Sequence, residues 1–168
     1  MGDTNNLHNE EGIKKIQDFV KDITTCMFCT KITEMPFRTR PMATLDVDDE
    51  GNLWFFSGKS SDKNDEIKNE DTVQLLYAKS SDSHFLTITG KAHTVKDPQK
   101  IDELWNSMAK AWFPDGKEDR NLSLIKVTPQ DAHYWDTKNG KMITLLKIAT
   151  AAVTGNPSDI GVEGKIKV

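Results

Sequence analysis

The chain has 168 residues, 36% of them apolar and 29% charged, a size and mix that suit one globular domain. Its 22 Lys and Arg against 26 Asp and Glu leave a net charge of -4, which gives no footing for nucleic acid or an anionic membrane as partner. No apolar run approaches the roughly 20 residues of a membrane span, Met1 to Gly12 lack a leader pattern, and two cysteines make no disulfide framework, so a cytoplasmic protein is expected.

Residues 1–9 read as a loose N-terminus, residues 10–155 as the domain and residues 156–168 as a loose tail. Within the domain, Ile13, Ile16, Phe19, Val20 and Ile23 recur at spacings of three and four, which predicts a helix over Glu10–Ile23 capped by Asn9. A strand follows over Thr24–Ile32, broken by Pro36-Phe37. Arg38–Val47 and Asn52–Ser57 are β-favouring and are joined by the turn Asp48-Asp49-Glu50-Gly51, which predicts a hairpin.

After Gly58, the polar run Ser60–Asn69 reads as a short helix, otherwise a solvated face, before strands at Thr72–Ala78 and His84–Val95. Asp97-Pro98 opens a helix that buries Ile101, Leu104, Trp105 and Met108. Leu122–Val127 and Ala132–Trp135 supply the last strands, and Lys141–Thr154 reads as a closing amphipathic helix. Six or seven strands with a few helices predict an α+β fold, its mostly antiparallel sheet closing into a barrel that leaves no free edges.

The densest chemistry lies in Leu53-Trp54-Phe55-Phe56-Ser57-Gly58-Lys59-Ser60-Ser61-Asp62-Lys63. An aromatic strand runs into a bend and then a Ser-rich helix start with two lysines, a set of donors that suits a phosphate ester. The same pattern also describes a capped surface helix, and it lacks the spacing of a P-loop. Arg40, in Arg38-Thr39-Arg40-Pro41-Met42-Ala43-Thr44, would be carried toward the bend by the predicted hairpin, with Pro41 and Met42 offering surface to a flat ring.

Taken in order, Arg40-Pro41-Met42-Ala43-Thr44, Gly51-Asn52-Leu53-Trp54-Phe55-Phe56-Ser57, Ser61-Asp62-Lys63 and Ala132-His133-Tyr134-Trp135-Asp136 resemble the split-barrel flavoproteins related to pyridoxamine 5'-phosphate oxidase, in particular the general stress protein 26 subgroup. The resemblance implies a split β-barrel with flanking helices that binds FMN, or less readily FAD, at a homodimer interface. By position it makes Arg40, Ser61 and Lys63 phosphate ligands, and Pro41, Met42, Phe56 and Ser57 contacts of the isoalloxazine and ribityl parts. Trp112 resembles an aromatic brought near the flavin from the partner subunit. A flavin-dependent oxidoreductase with a stress-related role and unknown substrate is implied, with a non-catalytic flavin carrier or sensor as the alternative.

Two departures qualify the resemblance. Ser61-Asp62-Lys63 stands where the vitamin oxidases carry Ser-Arg-Lys, and Ile148–Val168 lacks their arginine-rich substrate motif, so oxidation of pyridoxamine phosphate is not expected. Cys26-Met27-Phe28-Cys29 spells CxxC, but residues three apart on a strand face opposite sides. His8, His84, His93 and His133 show no metal-ligand spacing, so no metal is expected, and no catalytic set can be named. His133-Tyr134-Trp135 reads either as a packed last strand or as a proton donor beside the flavin.

Overall fold

The computed structural model describes residues 3–137 and 161–167. Among them lie ten strands and three α-helices: β1 Asp3–Thr4, β2 Leu7–His8, α1 Asn9–Asp22, β3 Thr25–Thr30, β4 Arg38–Ala43, β5 Asp46–Val47, β6 Leu53–Gly58, α2 Asp62–Asn69, β7 Thr72–Lys79, β8 His84–Val95, α3 Pro98–Leu104, β9 Leu122–Thr137 and β10 Gly161–Lys167. The expected α+β fold with a mostly antiparallel sheet is present. Its hydrogen-bonded path runs β1-β10-β9-β8-β7-β3-β4, and β5 and β6 branch from β9. Among the described residues β4 and β6 do not pair, so the barrel is split there and not closed.

The predicted hairpin is corrected accordingly. Only Asp46 and Val47 pair with β6, against Trp54 and Leu53, whereas β4 pairs antiparallel with β3. The β3–β4 connection is a hairpin of its own, and the chain changes partner at Thr44 and Leu45. β6 lies against β9 over its whole length.

Strand β6 explains its own aromatic run. Leu53 and Phe55 face the main core, while Trp54 and Phe56 turn to a second cluster with Ile101, Phe113, Leu122 and Leu124. With both faces covered, every position favours an apolar side chain. In the main core Phe28 and Phe55 meet edge to face at 5.3 Å.

The two last strands expected at residues 122–127 and 132–135 are one sixteen-residue strand, β9. Pro129 sits where the β8 register shifts between Thr89 and Gly90, a bulge that spares the ladder the missing N–H. The helix expected to bury Met108 ends at Leu104. A 3-10 turn at Ser107–Ala111 follows, and it leaves Met108 at the surface. At the start of α1 the capping position falls on His8, with no side-chain cap, and not on Asn9.

Both ends read as loose contain strands. β10 pairs with β9 from Gly161↔Thr137 to Ile166↔Ala132, and β1 and β2 pair parallel with β10. The sequence hides these because the segments are short and their alternation is broken by Gly161 and Gly164. The helix read at Lys141–Thr154 lies outside the described residues. A Cβ on Gly164 would sit 1.8 Å from the Asn5 carbonyl oxygen. Gly164→Ala is therefore expected to lower stability by about 1–3 kcal/mol in urea unfolding, and an unmoved midpoint would show that residues 3–8 are not held there.

Candidate functional site

β6 ends in a bend whose shape is fixed from β9's approach. Asn121 accepts from the Ser60 N–H at 3.0 Å and hydroxyl at 3.1 Å through Oδ1, and its carbonyl accepts from the Lys59 N–H at 2.7 Å. α2 then starts at Asp62 with Ser61 as its extended N-cap. The Ser61 hydroxyl makes no cap bond. It accepts from Lys63 Nζ at 3.1 Å and lies 3.3 Å from Ser57 Oγ.

Asn64, one turn into the helix region, is 3% exposed and ties the bend together. Its Oδ1 accepts from Ser57 Oγ at 2.8 Å, and its Nδ2 donates to the Gly58 carbonyl at 3.0 Å and to Ser123 Oγ at 3.3 Å. The run Ser60–Asn69 is thus not simply a solvated face. Asn64 and Ile67, three apart, form its buried side, a helical signal the polar composition obscured.

Arg40 reaches the same region from β4, where it stands opposite Phe28. Its Nη2 donates to Glu66 Oε2 at 2.7 Å, and the fully buried Thr30 donates its hydroxyl to the same oxygen at 2.5 Å. Arg40 Nη1 is buried and has no hydrogen-bond partner among the described residues. Burial, and next the Arg40 guanidinium, pull the half-buried Lys63 ammonium below its ordinary pKa, with Glu66 opposing them. Burial works against the Glu66 carboxylate, but the bonds from Thr30 and Arg40, with the charges of Arg40 and Arg38, outweigh it and hold its pKa below the usual range. Asp62 is exposed, so solvent screens its charge.

A cleft of about 330 Å³ opens beside these groups. Six of the eight residues singled out in the sequence line it: Pro41, Met42, Phe56, Ser57, Lys63 and Trp112. Ser61 adjoins it through its bond to Lys63, and Arg40 through its place beside Pro41 on β4 and its charge interaction with Lys63. Trp112 lines the cleft of its own chain and is 82% exposed, whereas Phe56 is held by Trp105 at 5.8 Å and Phe113 at 6.2 Å between ring centres. Asn106 and Met108 complete the rim and carry no local signal, because they arrive through the irregular chain after α3.

A larger cleft of about 810 Å³ lies beside α1 and β5, but Asp46, Asp48, Asp49 and Glu103 outnumber Lys21 and Lys100 on its walls, a balance that disfavours a phosphate. Cys26 and Cys29 are both buried and unbridged, and burial pushes the Cys26 thiol up to about 12. His133, Tyr134 and Trp135 lie on β9 outside the 330 Å³ cleft, with His133 against Trp135 at 4.4 Å. Asp22, Asp82 and His84 converge within 4.8 Å, a grouping invisible in their spacing, but Lys79 already bonds both carboxylates.

Comparison with known proteins gives this arrangement its relatives. Protein bli-3 of Neurospora crassa is 24% identical over 158 residues, covering 84% of this chain and 76% of that protein. The crystal structure of a protein assigned to general stress protein 26 from Jannaschia sp. CCS1 superposes with a TM-score of 0.79 at 25% identity, over 92% of this chain and 97% of that one. The general stress FMN/FAD binding protein of Xanthomonas citri superposes with a TM-score of 0.65 at 25% identity, over 77% and 90% of the two chains. The family model described as pyridoxamine 5'-phosphate oxidase like matches residues 11–159, a span that takes in strands β3 to β9, the bend after β6 and the cleft. The chain belongs to the pyridoxamine 5'-phosphate oxidase-like family.

Proposed function

We propose that this protein binds FMN in the 330 Å³ cleft, as a flavin-dependent oxidoreductase of the general stress protein 26 type. The observation that carries the reading is the buried Nη1 of Arg40, without a hydrogen-bond partner among the described residues, near enough to the half-buried ammonium of Lys63 for their charges to interact. Glu66 engages only Nη2 of Arg40, so the two cations outnumber their one nearby carboxylate in partly desolvated surroundings, and a phosphate supplies the missing anion. Ser61 adds a hydroxyl held within 3.1 Å of Lys63, so the phosphate ligands are Arg40, Ser61 and Lys63.

The cleft beyond them suits a flat ring. Pro41 and Met42 form one wall, Phe56 another, and Trp112 offers an aromatic face at the mouth. Ser57 lines the cleft with its hydroxyl proton donated to Asn64, which leaves its oxygen as an acceptor for the ribityl or ring edge. Bound there, the flavin supplies hydride or single-electron transfer, while the chain positions it and limits solvent. In the same reading the protein is a homodimer, with Met108, Trp112 and the neighbouring row Pro41, Met27 and Leu76 covered by the second subunit.

A second reading, a non-catalytic carrier or sensor of FMN or FAD, draws on a specific feature. Among the described residues no carboxylate or histidine lines the cleft, and Lys63 is its one ionisable side chain. Reduction by NADH or NADPH, followed by reoxidation with a defined acceptor, separates the two readings. Tight binding with negligible turnover favours the carrier.

The test of binding itself is the visible spectrum of the purified protein, followed by chromatography of the released chromophore. A yellow protein releasing a flavin with one phosphate is expected. A colourless protein that cannot be reconstituted with FMN would overturn the proposal.

A further inference from the structure

Glu66 stands out as a carboxylate placed where the proposed site needs positive charge. Its side chain is 12% exposed and is held on one oxygen by both Arg40 and Thr30. The charged groups around it are Arg38 and Arg40 on β4 and Lys63 on its own helix, while Thr30 is its neutral partner on β3. Asp62 and Asp65 on the same helix are exposed, and Asp65 is paired with Lys68 at 3.1 Å.

We propose that Glu66 is a specificity-determining residue of the phosphate cradle, offsetting one of the two charges carried by Arg40 and Lys63 and so limiting the preference for a doubly charged phosphate monoester over a singly charged phosphoryl group. The inference rests on the flavin reading above. It explains why an anion site would keep an acid beside its arginine. Glu66 fixes the guanidinium through Nη2 while Nη1 stays unengaged, and it lowers the net charge by one.

The expected consequence follows from charge alone. A phosphate monoester changes from one to two negative charges near pH 6, whereas each phosphoryl group of a dinucleotide carries one. Removing the Glu66 charge therefore helps the monoester dianion twice as much, in free energy, as either singly charged form. Because bonds from Thr30 and Arg40 hold the Glu66 pKa low, it remains a carboxylate through this window.

The experiment is a fluorescence titration of wild type and Glu66→Gln with FMN, FAD and riboflavin at pH 5 and pH 8. At pH 8 the variant is expected to bind FMN about tenfold more tightly, the effect of one charge on a dianion at roughly 7 Å in a solvent-exposed cleft with a dielectric of about 70. FMN at pH 5 gains about threefold, the square root of that factor, FAD at pH 8 gains less than the FMN dianion because the second of its two phosphoryl charges lies farther off, and riboflavin is unchanged. Thr30→Val, which removes a neutral partner and leaves Glu66 a carboxylate at pH 8, provides the structural control and is expected to show no ligand-dependent gain at that pH. Weaker FMN binding by the glutamine variant, or equal changes for all three flavins, would reduce Glu66 to a brace and overturn the inference. In the wild type, a ratio of FMN to FAD affinity that rises more than tenfold from pH 5 to pH 8 would also overturn it, independently of how the variant folds. Failure of the wild type to bind any flavin would instead remove the reading on which the inference rests.

Discussion

Alanine at Arg40 or Lys63 is expected to weaken FMN binding by about 1.5–3 kcal/mol, roughly 10- to 150-fold, with riboflavin affinity little changed. Each variant removes a charge-assisted donor from a partly buried site. Lys63 sits beside the Ser61 hydroxyl at 3.1 Å, and its ammonium is already destabilised by burial and by Arg40. An arriving phosphate relieves both penalties, and Lys63→Ala forfeits that relief. Arg40→Ala goes further, because it strips Glu66 of its cation and leaves a carboxylate next to the phosphate. The arginine variant is therefore expected to lie at the upper end of the range. Flavin fluorescence titration reads both, and unchanged FMN affinity in the two variants would place the phosphate elsewhere.

Phe55→Ala is expected to cost about 3–5 kcal/mol of folding stability. Phe55 is fully buried, packs edge to face on Phe28, and lies on the strand that joins the two apolar clusters. Its loss opens a cavity at a place where β6 is pinned by β9 and cannot move inward. A shift of the urea midpoint with unchanged slope is the signature of lost packing. A loss below about 1 kcal/mol would show that the core relaxes around the missing ring.

Much of this architecture is legible in the sequence where one signal dominates. His84–Val95 has the strand bounds expected of it, and α1 follows from a single apolar stripe. Hairpin logic failed at Arg38–Val47 because local turn chemistry, at Asp48–Gly51, organises only the two residues nearest it. β4 is claimed instead by β3, and propensity carries no information about which neighbour a strand selects. Met108 was misplaced because a helical period was extended past Leu104 into a 3-10 turn.

The candidate site was legible in part for a related reason. Pro41, Met42, Phe56, Ser57, Lys63 and Trp112 carry the resemblance, and the fold gathers them on one cleft. Glu66, Thr30 and Asn64 do not appear as motifs. Their roles depend on β3, α2 and β9 meeting, and each looks like an ordinary polar residue in its own segment.

The dependence of β6 on β9 has a consequence for synthesis. On the ribosome, the segment bearing Arg40, Ser57 and Lys63 emerges early, yet Ser57 must wait for Ser123, and the bend at Lys59 and Ser60 for Asn121. Until β9 emerges, the aromatic strand lacks the hydrogen-bonding partner that runs along it, together with Leu122 and Leu124 of its second apolar cluster, a nascent stretch suited to chaperone capture. Flavin loading should accordingly be a late event, inaccessible to fragments that stop before Leu122, because the binding surface is completed by residues that are translated long after those that would touch the ligand.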